Sequence, residues 1–262
     1  MNVLNAVNAL ITRILLADSG KTVVFSTGQA GFVIKSRSGQ LLGIDLYLSH
    51  CVERLEGNIG FKRMLPIPFA PHEIQLDCLI ATHPHFDHFD FDSVPELMSN
   101  GRTKLFASTD CEELVHGLRM TNDRVAYVRP GDTRECGDFT LHFVNCDHGT
   151  GAPDAVGVIV EVDGKLIFEA GDTCLRLDRA EEYLSFGPID AMIAPINGAY
   201  GNMNEEDCAR LAAALRPKMT IPCHYGMFAS HGGNPGLFIE KMKESCPDLP
   251  FTLMAQGEAI LI

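Results

Sequence analysis

A cluster of three histidines and one aspartate within six positions constrains this chain more than any other feature. It follows residues 77–80, an apolar run that predicts a buried strand. The members of the cluster are His83, His85, Asp87 and His88. His83 and His85 are two positions apart, so an extended chain directs both side chains to the same side. A turn after Pro84 would bring the other two back, and such a convergence suits a divalent metal ion better than a plain polar loop.

Three more candidate ligands also follow apolar runs that predict strands. They are His148, Asp172 and His224. In layered α/β folds the ends of strands are where separate loops meet in one crevice, so we expect one site built from four loops. Five histidines and two aspartates exceed the needs of one open catalytic ion and suit two ions, with Asp172 able to bridge them. Asp45 closes another predicted strand and is either a plain carboxylate or a partner that orients a metal-ligating histidine.

Composition excludes some classes of protein. The 262 residues are 46% hydrophobic, which is enough for a sizeable core, and the net charge is −13. The basic residues form no cluster, so we predict no nucleic-acid partner. The nine cysteines form no Cys-x-x-Cys pair and their number is odd, which favours reduced thiols and a cytoplasmic location. We find no signal-peptide pattern and no apolar run of membrane-spanning length, so we predict no membrane association.

The order of the predicted elements favours a single α/β domain over residues 1–262. Apolar residues recur at helical spacing in residues 3–17, which predicts a helix packed on the body of the domain. Strands and helices then alternate, without a linker, in a pattern typical of face-to-face sheets covered by helices. Residues 47–72 form a long connection with little periodicity, and we expect it to border the site.

The ordered ligand set resembles that of the metallo-β-lactamase superfamily, and all seven positions are filled. The resemblance implies an αββα four-layer sandwich. It also implies that His83, His85 and His148 hold a first metal, that Asp87, His88 and His224 hold a second, and that Asp172 lies between the two.

A closer resemblance is to the L-ascorbate-6-phosphate lactonase branch of that superfamily. It rests on the motifs Ala81-Thr82-His83, Arg129-Pro130-Gly131-Asp132, Gly171-Asp172, Ile221-Pro222-x-His224 and the segment 202–207. The chain is shorter than the lactonase and has a compact loop over residues 146–156. These differences bear on the substrate more than on the reaction type, which the resemblance implies is metal-dependent hydrolysis.

The expected function is metal-dependent hydrolysis of a lactone, ester or phosphoester by a metal-bridged hydroxide. Asp172 would orient the bridge and Asp87 would accept a proton. The expected substrate is a small, anionic molecule such as a sugar-phosphate lactone. Candidate substrate contacts, chosen for their place in loops near the ligands, are Tyr200, Asn202, Tyr225, His231 and Asn234.

The cofactors expected are two divalent ions, zinc or manganese, with iron as a third option and the lactonase resemblance in favour of manganese. The resemblance also makes a homo-oligomer a reasonable expectation. Two alternatives stay open: a phosphodiesterase of the same superfamily, and a non-catalytic metal-binding or scaffold protein.

Overall fold

The computed structural model describes residues 3–17, 20–120 and 123–262, with side chains of the first helix described from Leu10 onward. The first sheet contains β1 (Val23–Gly28), β2 (Gly31–Lys35), β3 (Leu41–Ile44), β4 (Cys78–Ala81), β5 (Lys104–Ser108) and β6 (Val125–Val128). The second contains β7 (Thr133–Cys136), β8 (Phe139–Asn145), β9 (Val156–Val162), β10 (Lys165–Glu169), β11 (Ala191–Pro195) and β12 (Thr220–Cys223). The last strand, β13 (Ala259–Leu261), returns to the first sheet beside β1.

The helices are α1 (Val3–Leu16), α2 (Cys51–Glu56), α3 (Ser93–Met98), α4 (Glu112–Gly117), α5 (Ala180–Leu184), α6 (Glu205–Leu215) and α7 (Pro235–Ser245). Short 3₁₀ turns lie at Ile59–Phe61, Pro71–Glu73, Thr109–Cys111 and Leu177–Arg179. The connection over residues 47–72 is therefore less irregular than its sequence predicts, because α2 and two of these turns lie within it. Among the described residues, none of the helices is long and apolar enough to cross a membrane.

Both sheets are mixed, and their parallel parts determine where the site lies. The strand orders are β13-β1-β2-β3-β4-β5-β6 and β12-β11-β10-β9-β8-β7. Strands β3 to β6 are mutually parallel, and so are β10 to β12. Since the carboxyl ends of parallel strands meet at one edge of a sheet, the loops that follow β4, β10 and β12 can converge.

The side chains of the central strands alternate between two apolar layers, as a period of two requires. In β4, Cys78 and Ile80 face the second sheet, whereas Leu79 and Ala81 face the helices that cover the first sheet. A third apolar layer lies between the second sheet and α5 to α7. Burying one large apolar side chain contributes about 1.5–3 kcal/mol, so these layers are the main source of stability. The arrangement confirms the predicted α/β sandwich of two sheets flanked by helices.

The prediction that all cysteines are reduced is wrong for one pair. Cys78 at the start of β4 and Cys136 at the end of β7 form a disulfide between the two sheets, with their Cα atoms 6.5 Å apart. The sequence spacing of 58 residues gave no sign of this contact, because it arises only when the sheets pack face to face. The other seven cysteines are free thiols.

A buried lysine anchors the end of the N-terminal helix. The ammonium group of Lys35 in β2 donates to the backbone oxygens of Ile14 (2.8 Å), Leu15 (2.7 Å) and Ala17 (3.1 Å). Burial lowers the pKa of this lysine, but its bonds to the carbonyls at the helix C-terminus compensate for part of the lost hydration.

We expect Lys35→Met to lower the free energy of unfolding by about 1–3 kcal/mol, since three carbonyls lose a charged donor. Urea denaturation measures this loss, and hydrogen exchange should quicken at the end of α1. Lys104→Met, at an exposed lysine that begins β5, is the matched control and should change stability little. Equal stability of the two variants would show that the lysine does not hold the helix.

Candidate metal centre

The seven predicted ligands converge at the carboxyl ends of strands from both sheets. His83, His85, Asp87 and His88 follow β4; His148 follows β8, Asp172 follows β10 and His224 follows β12. Most of these side chains are buried, and His85 is the exposed member, so the cluster opens to solvent on that side. The local signal in the sequence therefore identified side chains that the fold brings together.

Three imidazoles form one group of donors. The Nδ1 atom of His85 lies 3.0 Å from Nε2 of His83 and 3.0 Å from Nε2 of His148. His83 and His148 come from different sheets, so this group exists only when the two sheets are packed together.

The second group contains one carboxylate and two imidazoles. Nε2 of His224 lies 3.3 Å from Nε2 of His88 and 3.4 Å from Oδ2 of Asp87, and the His88–Asp87 separation is 3.7 Å. Here too, one ligand of the three comes from the second sheet.

Asp172 lies between the two groups. Its Oδ2 is 3.0 Å from Nε2 of His224 and 3.4 Å from that of His88, which belong to the second group. The same oxygen is 4.0 Å from Nε2 of His148, a member of the first group. One carboxylate oxygen can thus reach both sets of donors.

These separations fit metal coordination. Two ligands of a tetrahedral ion with bonds of about 2.0 Å stand about 3.3 Å apart. The measured distances within the two groups, 3.0–3.7 Å, scatter around that value. Nitrogen-rich sets with one or two carboxylates suit zinc, manganese or iron. The residues present therefore fit divalent ions.

A buried carboxylate orients the ligands of the first sheet. Asp45 Oδ2 accepts from Nδ1 of His88 at 2.7 Å and from the hydroxyl of Thr82 at 2.6 Å, and its other oxygen accepts from the Thr82 amide. The Thr82 hydroxyl oxygen lies 3.0 Å from Nδ1 of His83 and can accept a hydrogen bond from its N–H. Both histidines then present Nε2 to the cluster, which is the arrangement expected of a carboxylate that supports ligating histidines.

Two buried amides hold the carboxylates of the cluster. Asn202 donates from Nδ2 to Asp172 Oδ2 at 2.7 Å, so it supports a candidate ligand rather than lining the cavity as the sequence predicted. Gln29 donates from Nε2 to Asp87 Oδ2 at 2.8 Å and lies 3.2 Å from the ring nitrogens of His224. Gln29 lies in a turn far from the ligand motifs, and nothing in the sequence around it indicated this position.

The electrostatic environment favours neutral imidazoles in one group and protonated ones in the other. Burial lowers the pKa of His148 to about 4, although the charge of Asp172 acts in the opposite direction. For His224, burial also acts to lower the pKa, but Asp172 and Asp87 outweigh it and raise the pKa to about 9. A cation that binds His224 must therefore displace a proton, so metal binding should release protons.

Backbone strain is concentrated at this site. Gln29, Asp45, Tyr200 and His224 have φ values of 56°, 46°, 56° and 62°, in the left-handed region that non-glycine residues rarely adopt. Such conformations cost of order 1–3 kcal/mol each and persist where the surrounding structure enforces them. These four conformations therefore lower the stability of the fold, and they orient side chains at the site.

A cavity of about 310 Å³ opens beside His85, Asp87, His148 and Asp172. Four rings in mutual contact, which we call the aromatic wall, form much of its lining: Phe61, Tyr200, Phe228 and His231. The structure therefore places the predicted contacts Tyr200 and His231 at the cavity. His231 also lies close enough to Asp87 and His224 to share an ion with them.

The remaining predicted substrate contacts, Tyr225 and Asn234, are not among the residues that line the cavity. The Tyr225 hydroxyl donates to the backbone oxygen of Met254 at 3.2 Å, and its ring packs in the layer beneath α6 and α7. Asn234 caps α7 by accepting from the amides of Gly236 and Leu237. Tyr225 therefore follows the candidate ligand His224 in sequence without sharing its place in the cluster.

Comparison with known proteins agrees with this fold and site. Residues 24–224 match the family model described as "Beta-lactamase superfamily domain". The chain is 29% identical over 246 residues to a UPF0173 metal-dependent hydrolase of Myxococcus xanthus, covering 87% of this chain and 79% of the relative. It is 28% identical over 207 residues to one from Thermococcus kodakarensis, covering 73% and 88%.

A structural relative shows the same architecture. Igni18, described as a metallo hydrolase from the archaeon Ignicoccus hospitalis, superposes with a TM-score of 0.71 at 20% identity and covers 92% of this chain and 98% of its own. At that identity the likeness shows the fold alone, whereas the family model spans most of the chain together with the ligand positions. The chain therefore belongs to the metallo-β-lactamase superfamily.

Proposed function

We propose that this protein is a metal-dependent hydrolase that opens lactones or cleaves esters at a site for two divalent ions. The observation that carries the proposal is the position of Asp172 Oδ2, within 4.0 Å of imidazole nitrogens from both donor groups. The names of its relatives, metal-dependent hydrolases, support the reaction type, and the resemblance to the lactonase branch supports a lactone or ester.

The protein would hold one ion with His83, His85 and His148, and the other with Asp87, His88 and His224. When bound, such ions acidify a water ligand and polarise the oxygen of the substrate. Zinc and manganese are the ions we propose first, with iron as a third, because the mixed imidazole and carboxylate donors accept all three.

The side chains then supply orientation and proton transfer. Asp87, whose Oδ2 is fixed by the Gln29 amide, is the carboxylate that we propose to accept a proton from the attacking water. Asp172 accepts a hydrogen bond from Asn202, and its carboxylate would hold the two donor groups at a constant separation. The exposed His85 lies on the open side of the cluster, where a substrate carbonyl can approach.

The test is hydrolysis of simple lactones, esters, thioesters, sugar-phosphate lactones and phosphodiesters by protein stripped with a chelator and then reloaded with zinc or manganese. We expect about two bound ions per chain by mass spectrometry, and turnover of a lactone or ester that is lost on stripping and regained on reloading. If phosphodiesters alone are turned over, the proposed lactone or ester substrate is wrong and the substrate is a phosphodiester. Failure to bind metal would overturn the proposal, and binding without turnover of any compound would favour a non-catalytic metal protein.

A further inference from the structure

The cavity beside the ligands is walled by aromatic rings from three distant parts of the chain. Phe61 comes from the connection before β4, Tyr200 from the loop after β11, and Phe228 and His231 from the loop after β12. Ring centroids are 5.0 Å apart for Tyr200–His231 and Phe228–His231, and 5.8 Å apart for Phe61–His231. His231 in turn stacks on His224 at 5.1 Å. The aromatic wall is thus continuous with the candidate metal ligands.

The aromatic wall contains no permanently charged cation that could pair with a negatively charged group. Among the described residues, the cavity lining includes no lysine or arginine, and its one acidic residue outside the ligand set is Glu56. The connection that holds Glu56 has three cations outside the lining. Arg54 pairs with Asp92, and Lys62 is exposed. Arg63 is buried and donates to the backbone oxygens of Tyr47 and Leu65. Arg176 is engaged in ion pairs with acidic side chains.

The size of the cavity limits what it can hold. An apolar cavity of about 150 Å³ accommodates benzene. At about 310 Å³, this cavity has room for a single aromatic ring together with the reacting ester or lactone. Tyr200 presents an exposed ring from a strained, left-handed backbone position, which is a costly arrangement for a residue that serves packing alone.

We infer that this cavity selects substrates whose non-reacting part is an uncharged or cationic aromatic group, and that it discriminates against phosphate and other anionic substituents. The inference rests on the proposed hydrolysis and names its substrate class. An anion placed against the aromatic wall would lose hydration without gaining a cation, and the negative ring faces would repel it. A cation would instead be attracted by the ring faces and by Glu56. We therefore replace the expectation of an anionic sugar-phosphate substrate with that of an uncharged or cationic aromatic one.

The test uses the full chain loaded with zinc and three esters that differ only at the para position: methyl phenylacetate and its 4-trimethylammonio and 4-sulfo derivatives. A sulfonate is chosen as the anion because it is a weak metal ligand. Dissociation constants come from saturation-transfer NMR titrations, and kcat/KM is measured in parallel. We expect the neutral and cationic esters to bind on the order of tenfold more tightly than the sulfonate.

Single-residue variants test which side chains of the cavity cause the preference for neutral and cationic esters. Tyr200→Ala should weaken binding of the neutral ester about fivefold, because one ring of the wall is lost. The matched control is Phe186→Ala, an exposed ring that lies against His142 outside the cavity and should have no effect. Glu56→Gln should reduce the advantage of the cationic ester over the neutral one about threefold.

Equal or tighter binding of the sulfonate, or no binding of any ester, overturns the inference whether or not hydrolysis occurs. So does a Tyr200→Ala variant that binds as the Phe186→Ala control does. If the binding order holds but no metal-dependent turnover of any compound is seen, the proposed function fails while the preference of the cavity stands.

Discussion

Replacing Asp172 by asparagine is expected to lower kcat/KM by on the order of 10³-fold, the scale seen when one preorganised charge-stabilising group is removed. Asp172 Oδ2 is the oxygen that reaches both donor groups, at 3.0 Å from His224 and 4.0 Å from His148. An amide oxygen has nearly the same shape but no charge, so it would bridge two cations poorly. We therefore also expect weaker retention of metal, measured by mass spectrometry after dialysis.

The control for this variant is Asp178→Asn, an exposed carboxylate that pairs with Arg176 away from the cluster. It should retain full activity and metal content. An Asp172→Asn protein with the turnover and metal content of this control would contradict the placement of Asp172 between two ions.

The second large effect is expected at Asp45, which is not among the residues that line the cavity. Asp45→Asn should weaken metal binding by about 10–100-fold, because the carboxylate that accepts from His88 Nδ1 becomes an amide that cannot make all of its present bonds. Asparagine tolerates the left-handed backbone at this position, so the change isolates the hydrogen bonds from the strain. Competition with a chelating dye measures the affinity directly.

Asp90→Asn provides a matched buried control. Its carboxylate is equally buried, but it accepts from Leu48, Ser49 and Ser93 and holds α3 against the preceding connection. We expect this control to lose stability while keeping metal affinity within severalfold of the original. If both variants lose metal to the same extent, the effect of Asp45 is general destabilisation and its orienting role is excluded.

The candidate ligands could be found in the sequence because their signal is local. A short apolar strand followed by closely spaced histidines and an aspartate predicts both the strand end and the side chains that gather there, as His83 and His85 illustrate. The helix at residues 3–16 and the alternating strands were equally readable, since periodicity records which face is buried.

The surroundings of the ligands could not be read in this way. Gln29 and Phe61 reach the site through long-range packing, and no spacing in the sequence connects them to the histidines. Tyr225 shows the converse case, because it follows His224 directly in sequence and yet donates its hydroxyl to the backbone oxygen of Met254. The Cys78–Cys136 disulfide was missed for the same reason, since it depends on how two sheets pack. Local patterns predict which chemistry is available, and tertiary packing determines what surrounds it.

The division of the ligands between the two sheets has a consequence for how the molecule holds together. Each candidate ion would join side chains that follow β4 to a side chain from the second sheet, so a bound ion is a cross-link between the halves of the sandwich. The disulfide at Cys78 joins the same strand to the second sheet at its opposite end. Strand β4 would thus be linked to the second sheet at both of its ends, by the disulfide at its start and by bound ions after its last residue. Neither half, made as a separate fragment, would carry a complete coordination set, so metal binding would depend on the two sheets being packed together.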